Sequence, residues 1–183
     1  MANPTTETVH VSDIIPATAR AIYAAWLDGA QHAAMTGGAA TSEGATVGAR
    51  FTAWDGYIEG VHLELSDGKR IVQSWRSSEF PPDAAPSRLL VLLDKADGGT
   101  RVTFVHTDIP EGQGAQYESG WKDHYLIPMK KHFAAKAKAS AKPKAKAKAS
   151  AKPKAKAKAK AKAKAKPAAK AKAKAKAKPK ARR

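Results

Sequence analysis

The chain has 183 residues and a formal net charge of +17, from 33 Lys/Arg against 16 Asp/Glu, which leaves room for one domain and an additional segment. It contains no cysteine, which excludes disulfides, thiolate metal sites and a cysteine nucleophile. The charge is segregated: residues 1–135 hold 11 Lys/Arg and 16 Asp/Glu, a balance of −5, whereas residues 136–183 hold 22 Lys/Arg and no acid. The organisation expected is a flexible N-terminus over 1–6, a folded domain over 7–135 and a basic arm over 136–183. The start, MANPTTETVH, has neither a basic n-region nor an apolar h-region, so no secretory signal is expected. The longest apolar run, Leu89–Leu93, is far too short to span a membrane, and a cytoplasmic location is expected.

Taken in chain order, Glu7–Asp13 alternates Val9 and Val11 with Thr8, His10 and Ser12, the period of a half-buried strand. Pro16 opens a helix through Leu27 with Ile22, Ala25 and Trp26 on one face, and Gly29 stops it. His32–Met35 adds one turn before a loose loop over Gly37–Gly48. Arg50–Trp54 and Tyr57–Leu65 read as strands around Asp55-Gly56, a hairpin signal because a type I′ turn needs positive φ at both central positions. Arg70–Ser77, Ser87–Asp94 and Thr100–Thr107 follow, separated by Ser66-Asp67-Gly68, Pro81-Pro82 and Asp97-Gly98-Gly99. Ile109-Pro110 ends the meander.

The stretch Gly112–Phe133 predicts a long helix with an aromatic stripe: Tyr117, Trp121 and Tyr125 recur four apart, with Pro128, His132 and Phe133 near the same line. Pro128 is expected to remove one backbone hydrogen bond and bend the helix, and the domain to end near Phe133. These elements make an α+β domain, an antiparallel sheet with its helices on one side. Val102, Phe104 and His106 share a face, as do Ile71, Gln73 and Trp75. Leu89–Leu93 is apolar on both faces, which fits a central strand, or an outer sheet face covered by a partner or a second copy; the central strand is the expectation.

Catalytic signals are sparse. Alternation turns His106 inward, and Glu59 falls nominally on the face of Tyr57, Val61 and Leu63, a pairing suited to acid–base chemistry. Gly60 offers a bulge that would turn Glu59 outward, and a satisfied core histidine is the expectation. The pairs His106/Asp108 and His124/His132 make no HExxH-type metal motif. Gly112-Gln113-Gly114 lacks the third glycine and the βαβ unit of a dinucleotide loop, and no GxSxG elbow occurs. No catalytic residue, metal or cofactor is assigned, and the protein is not expected to be an enzyme.

Several pieces together resemble one family. Tyr57-Ile58-Glu59-Gly60, Lys69-Arg70-Ile71-Val72 with Ser74-Trp75-Arg76, Gly99-Thr100-Arg101-Val102, Ile109-Pro110 and Gly120-Trp121 are similar to the C-terminal domain of the activators of the Hsp90 ATPase (AHSA1-like). These belong to the wider START-like, SRPBCC or Bet v 1-like group. The resemblance spans roughly residues 7–135 and implies a helix-grip fold, a curved antiparallel sheet around a long C-terminal helix with a cavity between. It further implies an Hsp90-type chaperone or a small apolar ligand as partner. The ligand-cavity candidates are Trp26, Phe51, Tyr57, Trp75, Phe104, His106, Trp121 and Tyr125. Nothing before Glu7 resembles the extra N-terminal chaperone-binding domain of full-length activators, and the basic arm is not part of the family pattern.

From Lys136 the chain alternates lysine with alanine, interrupted by Pro143, Pro153, Pro167 and Pro179, and Ala135–Lys144 repeats as Ala145–Lys154. Period-2 lysines put like charge on every helical face, and there is no apolar stripe to bury, so the arm is expected to be disordered. It resembles the tails of linker histones. Its physics is counterion release from phosphates, with Lys142, Lys144, Lys152, Lys154, Lys166, Lys178, Arg182 and Arg183 as nucleic-acid-binding candidates and a nucleoid association as the corollary. Three functions stay open: an adaptor tethered to nucleic acid, an Hsp90-type co-chaperone, and a carrier or cyclase-like enzyme with Trp75, His106 and Trp121 around the cavity. In the last case the arm is only solvated or protein-contacting. The sequence assigns no oligomeric state.

Overall fold

The structure, a computed structural model that describes residues 5–146 and side chains as far as Ser140, opens with strand β1 (Thr6–Ile15). Helix α1 (Ala19–Leu27) begins three residues after Pro16, where the Thr18 hydroxyl accepts a hydrogen bond from the Ala21 N–H. Asp28 both ends α1 and caps α2 (Gly29–Thr36), its carboxylate accepting from the Gln31 N–H at 2.8 Å. The break between the helices is therefore made by Asp28 rather than Gly29, and the second helix is two turns long instead of one.

Six strands follow: β2 (Thr41–Ser42), β3 (Arg50–Ala53), β4 (Ile58–Ser66), β5 (Arg70–Ser77), β6 (Ser87–Ala96) and β7 (Gly99–Pro110). All pairs are antiparallel, in the order β1-β7-β6-β5-β4-β3-β2. The curved sheet closes around a long C-terminal helix, the expected α+β helix-grip arrangement. Short β2, inside the Gly-rich loop, is the strand that sequence pattern did not predict.

Register decides what faces the helix. β7 turns Val102, Phe104 and His106 inward, β6 Leu89, Val91 and Leu93, and β5 Ile71, Gln73 and Trp75, all buried. Gly60 lies opposite Trp75 and His62 opposite Gln73, so β4 presents Ile58, Gly60 and His62 to the core and leaves Glu59 and Leu63 exposed. The expected inward face of Tyr57, Glu59, Val61 and Leu63 is corrected by one residue, and the His106–Glu59 pairing goes with it. The bulge lies not at Gly60 but between His62 and Glu64. Gly60 serves close packing instead: a Cβ there would sit 2.0 Å from the Ser74 carbonyl oxygen and 2.7 Å from the Phe51 ring, which covers it.

On the outer face Val72 is buried and Leu90 and Leu92 are half-buried. Glu64, opposite Val72, is held by Arg70 at 2.6 Å and by Arg88 at 2.9 Å. The arginine stems help cover this apolar row from within the chain.

The C-terminal helix is built in three consecutive parts: α3 (Gly114–Gly120), a π-helical segment (Trp121–Leu126) and α4 (Ile127–Lys146). In the π segment the Ile127 N–H bonds the Lys122 carbonyl five residues back. Tyr117, Trp121, Tyr125, Met129 and Phe133 are all buried, a strict four-residue repeat. A regular α-helix advances about 40° over four residues, so five such positions would spiral through about 160°. The wider π turn holds the stripe on the sheet. It also sits just before Pro128, whose ring in a regular helix presses on the carbonyl four residues back; the expected proline bend is realised as this widened turn.

Phe133 is the last buried side chain described, but α4 runs on to Lys146. Residues 136–146 continue this helix: a packed helix supplies the costly nucleus, and alanine and lysine extend it readily. The side chains from residue 141 onward and all of residues 147–183, with every nucleic-acid-binding candidate, lie outside the described residues.

Gly60→Ala should destabilise the domain by about 1–3 kcal/mol through overpacking. Gly120→Ala, where a Cβ meets nothing within 4 Å, should instead be neutral or stabilising by up to about 1 kcal/mol. Urea unfolding of the two variants checks the contrast.

Candidate functional site

The site grows from the β3–β4 hairpin. Asp55 (φ 58°) and Gly56 (φ 84°) form the two-residue turn, closed by the Tyr57 N–H to the Trp54 carbonyl at 3.0 Å. Trp54 itself is left-handed at φ 54°, a conformation that bulky residues rarely adopt. The Asp55 N–H, bonded to the Ala39 carbonyl at 3.1 Å, ties the hairpin to the preceding loop. The indole lies on Gly38, where a Cβ would come within 2.6 Å of the ring, so a glycine is required beneath it. Held this way, Trp54 crosses to the helix and meets the His124 ring edge-on at 5.2 Å.

Between hairpin and helix lies a cavity of about 560 Å³. Trp54, Tyr57 and Ile58 wall it on one side, Trp75 forms part of its floor, and the helix contributes the rest from Gln116 to Tyr125. Tyr117 is fixed at its phenol, which donates to Gln113 Oε1 at 3.0 Å and accepts from the Ser77 hydroxyl at 2.6 Å. Burial raises the pKa of the Tyr57, Tyr117 and Tyr125 phenols, so all three lie in the wall as neutral donors and acceptors.

Behind the aromatic wall His106 locks two of the indoles in place. Trp121 Nε1–H donates to His106 Nδ1 at 3.2 Å, which leaves the ring proton on Nε2; that N–H donates to Ser87 Oγ at 2.7 Å, and the Ser87 hydroxyl donates to the Trp75 carbonyl at 2.8 Å. Burial pulls the His106 pKa down from 6.5 to about 3. The imidazole is neutral and both nitrogens are occupied, so it positions Trp121 and offers no free base. A second relay, Trp26 Nε1 to Gln73 Oε1 at 3.1 Å and Gln73 Nε2 to His62 Nδ1 at 3.0 Å, fastens α1 to the sheet.

Of the cavity candidates, Tyr57, Trp75, Trp121 and Tyr125 line this space. Trp26 and Phe104 sit deeper in the core, Phe104 tilted against Trp121 at 4.9 Å, and His106 lies behind Trp75 and Trp121. Phe51 stacks on His62 at 5.3 Å, away from the cavity. Sequence reasoning missed Trp54, Ile58, Gln116, Tyr117, Asp123 and His124, among others, as lining residues. The Trp54 signal was its place one residue before Asp55-Gly56; Asp123 and His124 were hidden because the π segment turns them toward the cavity. Among the described residues, no cluster of three or more His, Cys, Asp or Glu could hold a metal ion. No helix among them is long and apolar enough to cross a membrane.

A family model described as activator of Hsp90 ATPase homolog 1-like protein matches residues 16–134. The chain belongs to the AHSA1 family. An activator of 90 kDa heat shock protein ATPase homolog from Dictyostelium discoideum is 31% identical over 91 residues, covering 50% of this chain and 24% of that protein. The chain spans 24–34% of the length of the curated relatives it matches. Among solved structures, an HSP90 activator from Plasmodium falciparum superposes with a TM-score of 0.57 at 18% identity, covering 66% of this chain and 91% of that one. CalU16 from Micromonospora echinospora gives 0.59 at 15% identity, covering 78% and 85%. These two likenesses show the fold of the AHSA1 domain.

Three buried histidines, His32, His62 and His106, have pKa values lowered chiefly by burial. The unfolded chain therefore takes up protons below about pH 6.5 that the folded AHSA1 domain refuses, and stability should fall as pH drops from 7.5 to 5. Each such histidine adds up to about 1.4 kcal/mol per pH unit to that slope. His106→Gln should lose about 1–3 kcal/mol at pH 7.5 and show a slope shallower by about one proton. Denaturant unfolding across this pH range measures both effects.

Proposed function

We propose that this chain is a non-enzymatic adaptor: an AHSA1 domain that contacts an Hsp90-type chaperone and is tethered to nucleic acid by its basic arm. The observation that carries this reading is the segregation of charge. A domain with a balance of −5 ends where a segment of 22 Lys/Arg and no acid begins, and the family match stops at residue 134. A polycation of this kind neutralises phosphates and releases their counterions without reading sequence; it has no aromatics to stack on bases and only Arg182 and Arg183 for guanine contacts. The chaperone contact is drawn from the Dictyostelium relative, named as an activator of 90 kDa heat shock protein ATPase homolog. The site supports a non-enzymatic reading because His106, buried behind Trp75 and Trp121, has both nitrogens engaged.

A second reading, a carrier of a small apolar ligand, is favoured by the aromatic cavity between hairpin and helix. At about 560 Å³ it falls in the range of small-molecule sites.

The full chain should shift duplex DNA of any sequence at low salt, with a log–log salt slope of about −9 if roughly ten lysines engage phosphates. A chain truncated after Ala135 should not shift it; equal binding by the truncated chain rejects the tether. Co-precipitation of the same truncated chain with an Hsp90-type chaperone tests the other half, and absence of contact there rejects the co-chaperone role.

A further inference from the structure

We propose that the cavity selects positive charge, and that its ligand is a flat lipophilic organic cation such as an alkylated N-heteroaromatic ring. The proposal rests on the carrier reading above and specifies the ligand of that same cavity.

Six rings line the space: Trp54, Tyr57, Trp75, Tyr117, Trp121 and Tyr125. Aromatic faces carry the negative part of a quadrupole and attract a cation within about 6 Å of the ring centre. The charged groups around them point the same way. Asp123 is among the lining residues, and no Lys or Arg is. The lining residue able to carry positive charge is His124, whose ring is already packed edge-on against Trp54. Lys122, next to the lining residues Trp121 and Asp123, is turned to Glu118 at 2.5 Å.

Glu79 adds a second carboxylate from the β5–β6 loop. It accepts a hydrogen bond from Nε2 of the lining residue Gln116, which holds the carboxylate one hydrogen bond from the cavity lining. An anionic ligand would meet these carboxylates with no basic partner. A neutral one would leave them unused. The volume exceeds what a small ammonium ion fills and admits a body of two or three fused rings.

The test uses the full chain and two probes of nearly the same shape, N-methylquinolinium and 1-methylnaphthalene, with binding followed by calorimetry and tryptophan quenching. The arm repels the cationic probe, so uptake of that probe reports on the domain. N-methylquinolinium should bind. Asp123→Asn and Glu79→Gln should each raise its dissociation constant by about three- to tenfold while changing that of 1-methylnaphthalene by less than about twofold. Both carboxylates are on exposed residues, so the variants should fold, and circular dichroism verifies it. Binding of 1-methylnaphthalene without N-methylquinolinium, or equal effects of the variants on both probes, overturns the cation proposal and leaves the carrier reading intact. Binding of neither probe overturns the carrier reading and the proposal together.

Discussion

Everything in the domain depends on how the gripped helix is keyed to the sheet through His106. A buried indole N–H, a neutral imidazole, a serine hydroxyl and a backbone carbonyl form one directed chain from Trp121 to Trp75. Each donor has one acceptor, so the chain has a single satisfied arrangement, and burial makes any other arrangement costly. Apolar packing alone would let the helix slide or roll on the sheet. The directed chain fixes its depth and rotation, and the cavity wall inherits that precision.

The hairpin end of the cavity is held differently. Trp54 adopts an unfavourable backbone conformation and is braced by a glycine beneath its ring and a hydrogen bond from its neighbour Asp55. One wall is thus set by polar complementarity in the core and the other by strained local geometry at a loop. The AHSA1 domain combines a rigid floor with a rim whose conformation is maintained only by its surroundings. As far as Lys146, the basic segment is a direct extension of the helix that lines the cavity.

Much of the fold was legible because alternation and turn chemistry agreed. Asp55-Gly56 made the turn its residue types demand, and β5 begins and ends where pattern placed it. The inward residues of β5 and β7 followed from period-2 alternation. The facing of β4 did not, because Tyr57 closes the hairpin turn rather than opening the strand, so its inward side chain does not set the alternation of the residues that follow. In the site, the aromatic stripe announced Trp121 and Tyr125, whereas Trp54 was obscured by the left-handed backbone that removes it from the strand. The role of His106 was hidden because hydrogen-bond saturation is a three-dimensional property. The arm's length and charge were plain from composition, and its first turns became helical because a packed helix preceded them.

The π segment leaves the chain with a phase lock. Were the same number of residues wound as a regular α-helix through Trp121–Leu126, every residue beyond would turn by about 100° about the axis. Met129 and Phe133 would leave the core, and Lys130, which grips Asp13 at 2.7 Å, would lose its partner. The same turn would re-aim the azimuth at which the first lysines leave the domain. Helix length in this protein is therefore a setting counted in single residues, shared by the core on one side and the polycation on the other.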